Sequence, residues 1–438
     1  MATAKKKGGA ASLASPDFSI FKNIKTGDRW ADAHVEHPDY GCFDTGSYAL
    51  NALASGSIFG GFPRNQFIMA CGKKGTGKSF LAKNNFARRL MDENYYIFHY
   101  DTEGETTEKK LEEENGYDPQ KFTLIKEPTT VKMFFESING IICQFEEMRG
   151  DALDCPYRAA FVLDSQGQLS TEKAIADASK GEAGKQDFTK AKELTATYRS
   201  ITNRCALLGF PMFVTNHVYL NPNVKFGNPE TVAGGESAQF SASIIFSMFK
   251  TYEKVGTDKE VKGVILKATV LKSRMVRDKL SASIYLDYEH GLNRYYGLHD
   301  WAINAGLVVD YDAKTFPNLE KPVDPATGKK VRVDCYVIKD PKKDPSEWIV
   351  CPKTRIDRAA YIGTILNEID EYVKKNFKYR PPSLKDDEVD DADFDEAEIA
   401  KQDAKFRAEE AADLESRREA LGLAPGEFPE GEMGIDAD

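Results

Sequence analysis

Eight consecutive residues, Gly72-Lys73-Lys74-Gly75-Thr76-Gly77-Lys78-Ser79, carry the most specific chemistry in the sequence. They fit the pattern GxxxxGK[ST] in full, the signature of a loop that cradles nucleotide phosphates. Glycines let backbone N–H groups turn inward onto an anion. A helix opening at Lys78 adds about half a positive charge at its N-terminus. Lys78 is suited to neutralise β- and γ-phosphates, and the Ser79 hydroxyl to hold Mg²⁺. With Phe80 next in line, Gly72 to Phe80 is the candidate nucleotide-binding stretch, and ATP with Mg²⁺ is its expected ligand pair.

Two acids at strand ends extend the chemistry. Asp164 closes the apolar run Phe161-Val162-Leu163 and could hold Mg²⁺ through water. Glu103 follows the run Tyr95 to Asp101 and could orient and deprotonate an attacking water. Plainer readings stay open for each on its own, because acids often follow strands and Asp often forms turns.

These residues need elements to position them. Gln66–Cys71 reads as a buried strand, Ser79–Met91 as a helix with Phe80, Leu81, Phe86, Leu90 and Met91 inward, and Tyr95–Asp101 as the next strand. Val131–Met148 has apolar residues at helical spacing. Arg158–Asp164 and Pro211–His217 read as further buried strands. Strands alternating with helices predict an α/β core, a mostly parallel sheet with helices on both faces. Ile244–Lys250, Val264–Met275 and Ser281–Tyr288 then read as hairpin-connected additions to that sheet. The predicted division is an N-terminal arm over 1–40, a core over 41–310, a small Lys/Pro-rich unit over 311–385 ending in a helix from about Ile356 to Phe377, and a flexible acidic tail over 386–438.

Bulk properties narrow the class. The hydrophobic fraction of 41% supports a substantial core. No apolar run approaches the ~18 residues of a membrane span, and Met1–Ser15 has no signal-like apolar stretch. Seven dispersed cysteines without a CxxC pair read as reduced thiols in a cytoplasmic setting. The net charge of −10 conceals an asymmetry. From Asp386 onward there are 20 acidic and 5 basic residues, and before it 54 basic against 49 acidic. A mildly basic body with an acidic tail fits polyanion binding, and equally a tail that only solubilises.

Taken together, the P-loop, Asp101-Thr-Glu103, Leu163-Asp-Ser165 and Thr215-Asn-His217 occur in the order of the RecA recombinase family, which the chain resembles. Within that family it is most similar to the T-even-type phage recombinases. The most specific segment is Phe226-Gly-Asn-Pro-Glu-Thr-Val-Ala-Gly234-Gly235, which resembles the family's second DNA-binding loop. Lys272-Ser-Arg274 and Gly291-Leu-Asn-Arg-Tyr-Tyr-Gly297 look like the strand and hairpin that close its ATPase core. The resemblance covers roughly 40–310. It implies a RecA-type P-loop core in which Glu103 is the catalytic glutamate and Asp164 the metal acid. His217 takes the place of a γ-phosphate-sensing glutamine, and Lys272 and Arg274 reach the neighbouring protomer's ATP as arginine fingers do. On composition alone, Lys272 and Arg274 equally fit a solvated strand edge, and His217 a core histidine.

The resemblance also implies DNA contacts. Two candidate DNA-facing segments are about Gln168–Thr189, with Lys173, Lys180 and Lys185, and Val218–Glu236, with Tyr219, Lys225, Gly234 and Gly235. Thr195 and Arg199, one helical turn apart, fall where the family grips DNA phosphate, a contact that positions without reading sequence. The chain departs from the family with Tyr219 where the family has an arginine, and with Pro222 where the family has an apolar wedge. The run 104–110 lacks the tyrosine that the family stacks on adenine.

The expected function is therefore a DNA-dependent ATPase of recombination, repair and replication. It would form helical filaments on single-stranded DNA, exchange strands with homologous duplex, and act in the cytoplasm of a phage-infected bacterium. The acidic tail is a candidate hook for a single-strand-binding or loader protein. Two rivals share the motif set: a ring-forming replicative helicase of the same core fold, and a recombination mediator that uses ATP as a clamp without exchanging strands.

Overall fold

The computed structural model describes residues 39–150, 152, 154–181, 189–220, 230–232, 241–255, 260–323 and 328–379. The expected arm over 1–40, apart from residues 39 and 40, and the acidic tail over 386–438 lie outside these residues. Of the described residues, those in 39–218 and 232–378 belong to one compact unit, and 219–220, 230–231 and 379 to a second.

Continuous apolar runs become strands buried on both faces. In chain order these are β1 (Cys42–Phe43), β2 (Phe62–Pro63), β3 (Phe67–Gly72), β4 (Tyr96–Asp101), β5 (Phe122–Ile125), β6 (Ala159–Asp164) and β7 (Met212–Asn216). After them come β8 (Val218–Leu220), β9 (Glu230–Val232), β10 (Ile244–Val255), β11 (Glu260–Ser273), β12 (Ser281–Asp287) and β13 (Gly291–Leu292). A nine-stranded sheet has the order β13-β12-β11-β10-β3-β7-β6-β4-β5. The strands from β10 to β5 are parallel, and β11, β12 and β13 extend the sheet antiparallel. This is the α/β core that the sequence predicts, with a hairpin extension whose first two strands are longer than expected. Strands β8 and β9 pair with each other in a sheet of two.

The pleat of β3 divides the core in two. Ile68 and Ala70 face a layer with Leu81, Phe86, Phe213 and Phe246. Phe67, Met69 and Cys71 face a layer with Tyr100, Phe134, Ile138, Tyr198 and Ile201. Helix α1 (Tyr48–Ser55) and the helix after the phosphate loop serve the first layer; α5 (Val131–Arg149) and α7 (Thr189–Leu208) serve the second. Between them in the chain run α4 (Glu108–Asn115) and α6 (Glu172–Ser179).

The helix after the loop differs from the uniform helix expected. It is α-helical over Lys78–Phe80 (α2), π-helical over Leu81–Ala87 and α-helical again over Arg88–Asp92 (α3). A π turn fits an extra residue into each turn, and it buries Leu81, Ala82, Asn85, Phe86 and Ala87 together.

Toward the C-terminus, α8 (Leu298–Asn304) precedes a three-stranded sheet of β14 (Val308–Asp310), β15 (Cys335–Ile338) and β16 (Ile349–Pro352). The helix expected from about Ile356 starts only at Leu366 (α9, Leu366–Phe377). Residues 353–355 and 362–365 form 3₁₀ turns instead, where Gly363 weakens helix propensity. Helix α9 buries Ile369, Val373 and Phe377 in the same layer as Leu81 and Phe86. Its Asp370 carboxylate accepts hydrogen bonds from Ser57 Oγ (2.7 Å) and the Ile58 amide (2.8 Å).

Candidate functional site

The parallel strands β3, β4, β6 and β7 all end at one edge of the sheet, and the candidate residues gather there. Open α/β sheets place their ligands outside the carboxyl ends of their strands. Gly72 closes β3, and residues 73–77 form the loop to α2. A side chain at Gly72 would meet the Met248 carbonyl at 2.5 Å, and one at Gly77, whose φ is +81°, would meet Leu266 at 2.7 Å. Only glycine fits at both positions. Lys78 is buried and donates to the carbonyls of Gly72 (2.9 Å) and Lys73 (2.8 Å). Burial lowers its pKa, against the opposing pull of Asp164 and Glu103.

The Ser79 hydroxyl donates to Asp164 Oδ1 at 3.1 Å. The same oxygen accepts from Thr215 Oγ1 at 2.5 Å. Two hard oxygen donors at the mouth of a phosphate loop suit Mg²⁺, which takes few protein ligands and keeps waters and phosphate oxygens. Among the described residues there is no cluster of three or more His, Cys, Asp or Glu that could hold a metal by itself.

Glu103 sits beside this pair because β4 and β6 are riveted at their ends. The Thr102 amide donates to Asp164 O (3.0 Å), Thr102 Oγ1 donates to Ser165 O (2.7 Å), and the Ser165 amide donates to Thr102 Oγ1 (2.9 Å). Asp101 folds the following loop by accepting from the amides of Gly104 and Thr106, each at 2.9 Å. Glu103 Oε1 accepts from Ser165 Oγ at 2.8 Å and lies 3.2 Å from His217 Nε2. His217 also packs against Gly167, where a Cβ would meet its ring at 3.0 Å. The Gly167 carbonyl accepts from Lys190 Nζ at 2.8 Å.

Lys272 and Arg274 lie elsewhere. The register pairs Lys272 with Ile245 and Ile245 with Met69, and the Arg274 amide donates to Ser243 O. Ser243 in turn donates to Phe67 O, at the amino end of β3. Both are therefore set back from the phosphate loop toward the amino ends of the parallel strands, Lys272 by about 10 Å and Arg274 by about 17 Å of strand rise. Burial, with Arg274 beside it, lowers the Lys272 pKa against the pull of Asp278.

Thr195 and Arg199 lie on α7, where Thr195 Oγ1 donates back to Ala191 O at 2.6 Å and Arg199 is exposed. The segment Gln168–Thr189 is not wholly a loop. It contains α6, capped by Thr171 and carrying exposed Lys173, with exposed Lys180 just after it. The short polar run after Thr171 is a capped helix start. Lys185, Lys225, Gly234 and Gly235 fall outside the described residues, and Tyr219 is described only as part of β8.

Sequence reasoning missed Ser165, Thr215 and Asp101 as supporting groups. The signal was there for Thr215, a hydroxyl directly after the apolar run Met212-Phe-Val214. It also missed a cavity of about 600 Å³ lined by Phe80, Asn84, Asn85, Arg89, Tyr288 and His290, among others. The buried Asn85 Oδ1 in this lining has no hydrogen-bond partner.

Comparison with known proteins now has a geometry to meet. The RecA N-terminal domain model matches residues 31–293, more than half of the chain. A recombination and repair protein of Enterobacteria phage T4 is 26% identical over 266 residues, 59% of this chain and 63% of the T4 protein. Protein RecA of Thermotoga sp. (strain RQ2) is 26% identical over 273 residues, 60% of this chain and 68% of that protein. Protein RecA of Thermus thermophilus (strain ATCC 27634) is 26% identical over 274 residues, 60% of this chain and 72% of that protein. The match thus spans less than two thirds of the T4 protein's length. A phosphate loop, a metal acid and a glutamate converge at one edge of a parallel sheet with an antiparallel extension, and the family model runs through all of them: the chain belongs to the RecA family, through its N-terminal domain.

Proposed function

We propose that this chain is a DNA-dependent ATPase and homologous recombinase. In this reading it assembles as a helical filament on single-stranded DNA and exchanges strands with homologous duplex. One observation carries the reading: Lys78, Ser79, Asp164 and Glu103 share one edge of the sheet, while Lys272 and Arg274 are set back from it toward the amino ends of the strands. Cations so placed suit the loop of the next chain better than their own. A head-to-tail contact that does not close generates a filament.

The roles follow from position. Lys78 and the loop amides hold the triphosphate. Mg²⁺, held by Ser79 and Asp164, would neutralise charge on the phosphate oxygens. Glu103 accepts the proton of the attacking water, and its contacts with Ser165 and His217 keep it aimed. Lys272 and Arg274 stabilise charge on the transferred phosphoryl in the adjacent chain's site. The cavity beside Phe80 and Tyr288 suits the base, with rings for stacking.

His217 leads directly into β8 and so into the second DNA segment. Its contact with Gly167 ties it to Lys190 at the start of α7, the helix of Thr195 and Arg199. Nucleotide state and DNA affinity are thereby linked through one imidazole.

The test pairs ATPase assays, with and without single-stranded DNA, with electron micrographs of the same sample. DNA-stimulated hydrolysis and helical filaments are expected. Rings without filaments would favour the helicase, and filaments without DNA-stimulated hydrolysis the mediator.

A further inference from the structure

The two oxygens of Asp164 face different partners. Oδ1 accepts from Ser79 and Thr215, while Oδ2 lies 4.0 Å from the ammonium of Lys83. Lys83 is in the π-helical turn, four residues beyond Ser79, and its side chain is only 16% exposed against 8% for Asp164. The ammonium also donates to Thr106 Oγ1 at 2.8 Å. The Thr106 amide donates to Asp101 Oδ2, one of the two bonds that fold the loop bearing Glu103. Lys78, the other cation nearby, is turned to the carbonyls of the phosphate loop.

A carboxylate this buried is costly to leave without a counter-charge. We propose that Lys83 is a positioning residue that supplies a standing counter-charge to Asp164. It holds Oδ2, so that Oδ1 stays turned toward Ser79. It also subtracts from the attraction of Asp164 for a divalent cation, which then binds together with the triphosphate rather than ahead of it. The lysine reaches both Asp164 and the Glu103 loop, so the same side chain keeps the metal acid and the glutamate loop in register. This inference rests on the reading of Ser79 and Asp164 as the cation site.

The test uses Mn²⁺ as a spin probe on the full-length chain without nucleotide, with free Mn²⁺ read by electron paramagnetic resonance. The informative variant is Lys83→Gln, which keeps an N–H donor for Thr106 and removes only the charge. It should bind Mn²⁺ about tenfold more tightly than wild type, as expected when a unit charge a few ångströms from the acid is removed. Lys83→Arg should match wild type, and adding Asp164→Asn to Lys83→Gln should abolish the gain. Mn²⁺ should also raise the melting temperature of Lys83→Gln more than that of wild type. Equal Mn²⁺ affinity in Lys83→Gln and wild type overturns the proposal. So does an equal gain in Thr106→Val, which loosens the loop but leaves the charge in place. Failure of the cation-site reading would look different: Asp164→Asn alone would then leave Mn²⁺ binding in the presence of ATP unchanged.

Discussion

Glu103 depends on neighbours that the sequence does not advertise. Its oxygen is held by Ser165 Oγ, and His217 closes the other side at 3.2 Å. Replacing it with glutamine keeps the shape and removes the proton acceptor. Glu103→Gln should therefore bind ATP as wild type does while hydrolysis falls about 10²- to 10⁴-fold, the usual worth of a positioned base. Nucleotide fluorescence titration and phosphate release measure the two separately, and unchanged release would remove Glu103 from the mechanism. At this scale the phosphate loop was legible because its eight residues are contiguous. Asp164 and Glu103 were legible because each follows an apolar run. Ser165 and Lys83 were not, and Thr215 showed only as a hydroxyl at the end of an apolar run, because their roles arise only when strand ends far apart in sequence are brought side by side.

Strands and helices were easier to read than their internal irregularities. The parallel strands appear as apolar runs because both faces are covered, and α5 by its 3.6-residue spacing. The π turn left little mark, since Ala82, Phe86 and Leu90 keep a four-residue spacing that an α-helix also satisfies. The late start of α9 was equally hidden, because Ile356 and Ile362 are apolar and buried without being helical. Strand β4 illustrates how a buried element constrains chemistry. His99 is fully buried in it, its Nδ1 lies 3.4 Å from Tyr117 OH, and its Nε2 has no partner. Burial lowers its pKa from 6.5 to about 4. The unfolded chain then takes up a proton that the folded chain refuses, so stability falls as pH drops from about 6.5 and levels off near 4. The loss is at most roughly 3 kcal/mol. Urea denaturation across that window should show His99→Gln losing less stability than wild type, and parallel curves would refute the assignment.

At the scale of the whole molecule, the main fact is the separation of the two charged sets along the strands. If they meet only between chains, two inactive variants should rescue each other. A chain with Lys272→Ala and Arg274→Ala retains Glu103, and Glu103→Gln retains the cations. Mixed in equal amounts, they should recover about a quarter of wild-type hydrolysis, since one joint in four pairs the two intact halves. Recovery no greater than the sum of the separate activities would place both sets in one chain's site. The small sheet of β14 to β16 lies beyond the matched residues 31–293 and reads as an addition to the family's domain. The separation along the strands also makes the two tips of any assembly chemically unlike, although every subunit is identical. On the in-trans reading, a phosphate loop at one tip would receive no cation from outside, and at the other tip Lys272 and Arg274 would have no neighbouring triphosphate to meet. On that reading a solitary chain would be a nucleotide reservoir, and turnover per subunit would climb with assembly length, so that hydrolysis would gauge how many neighbours have been recruited.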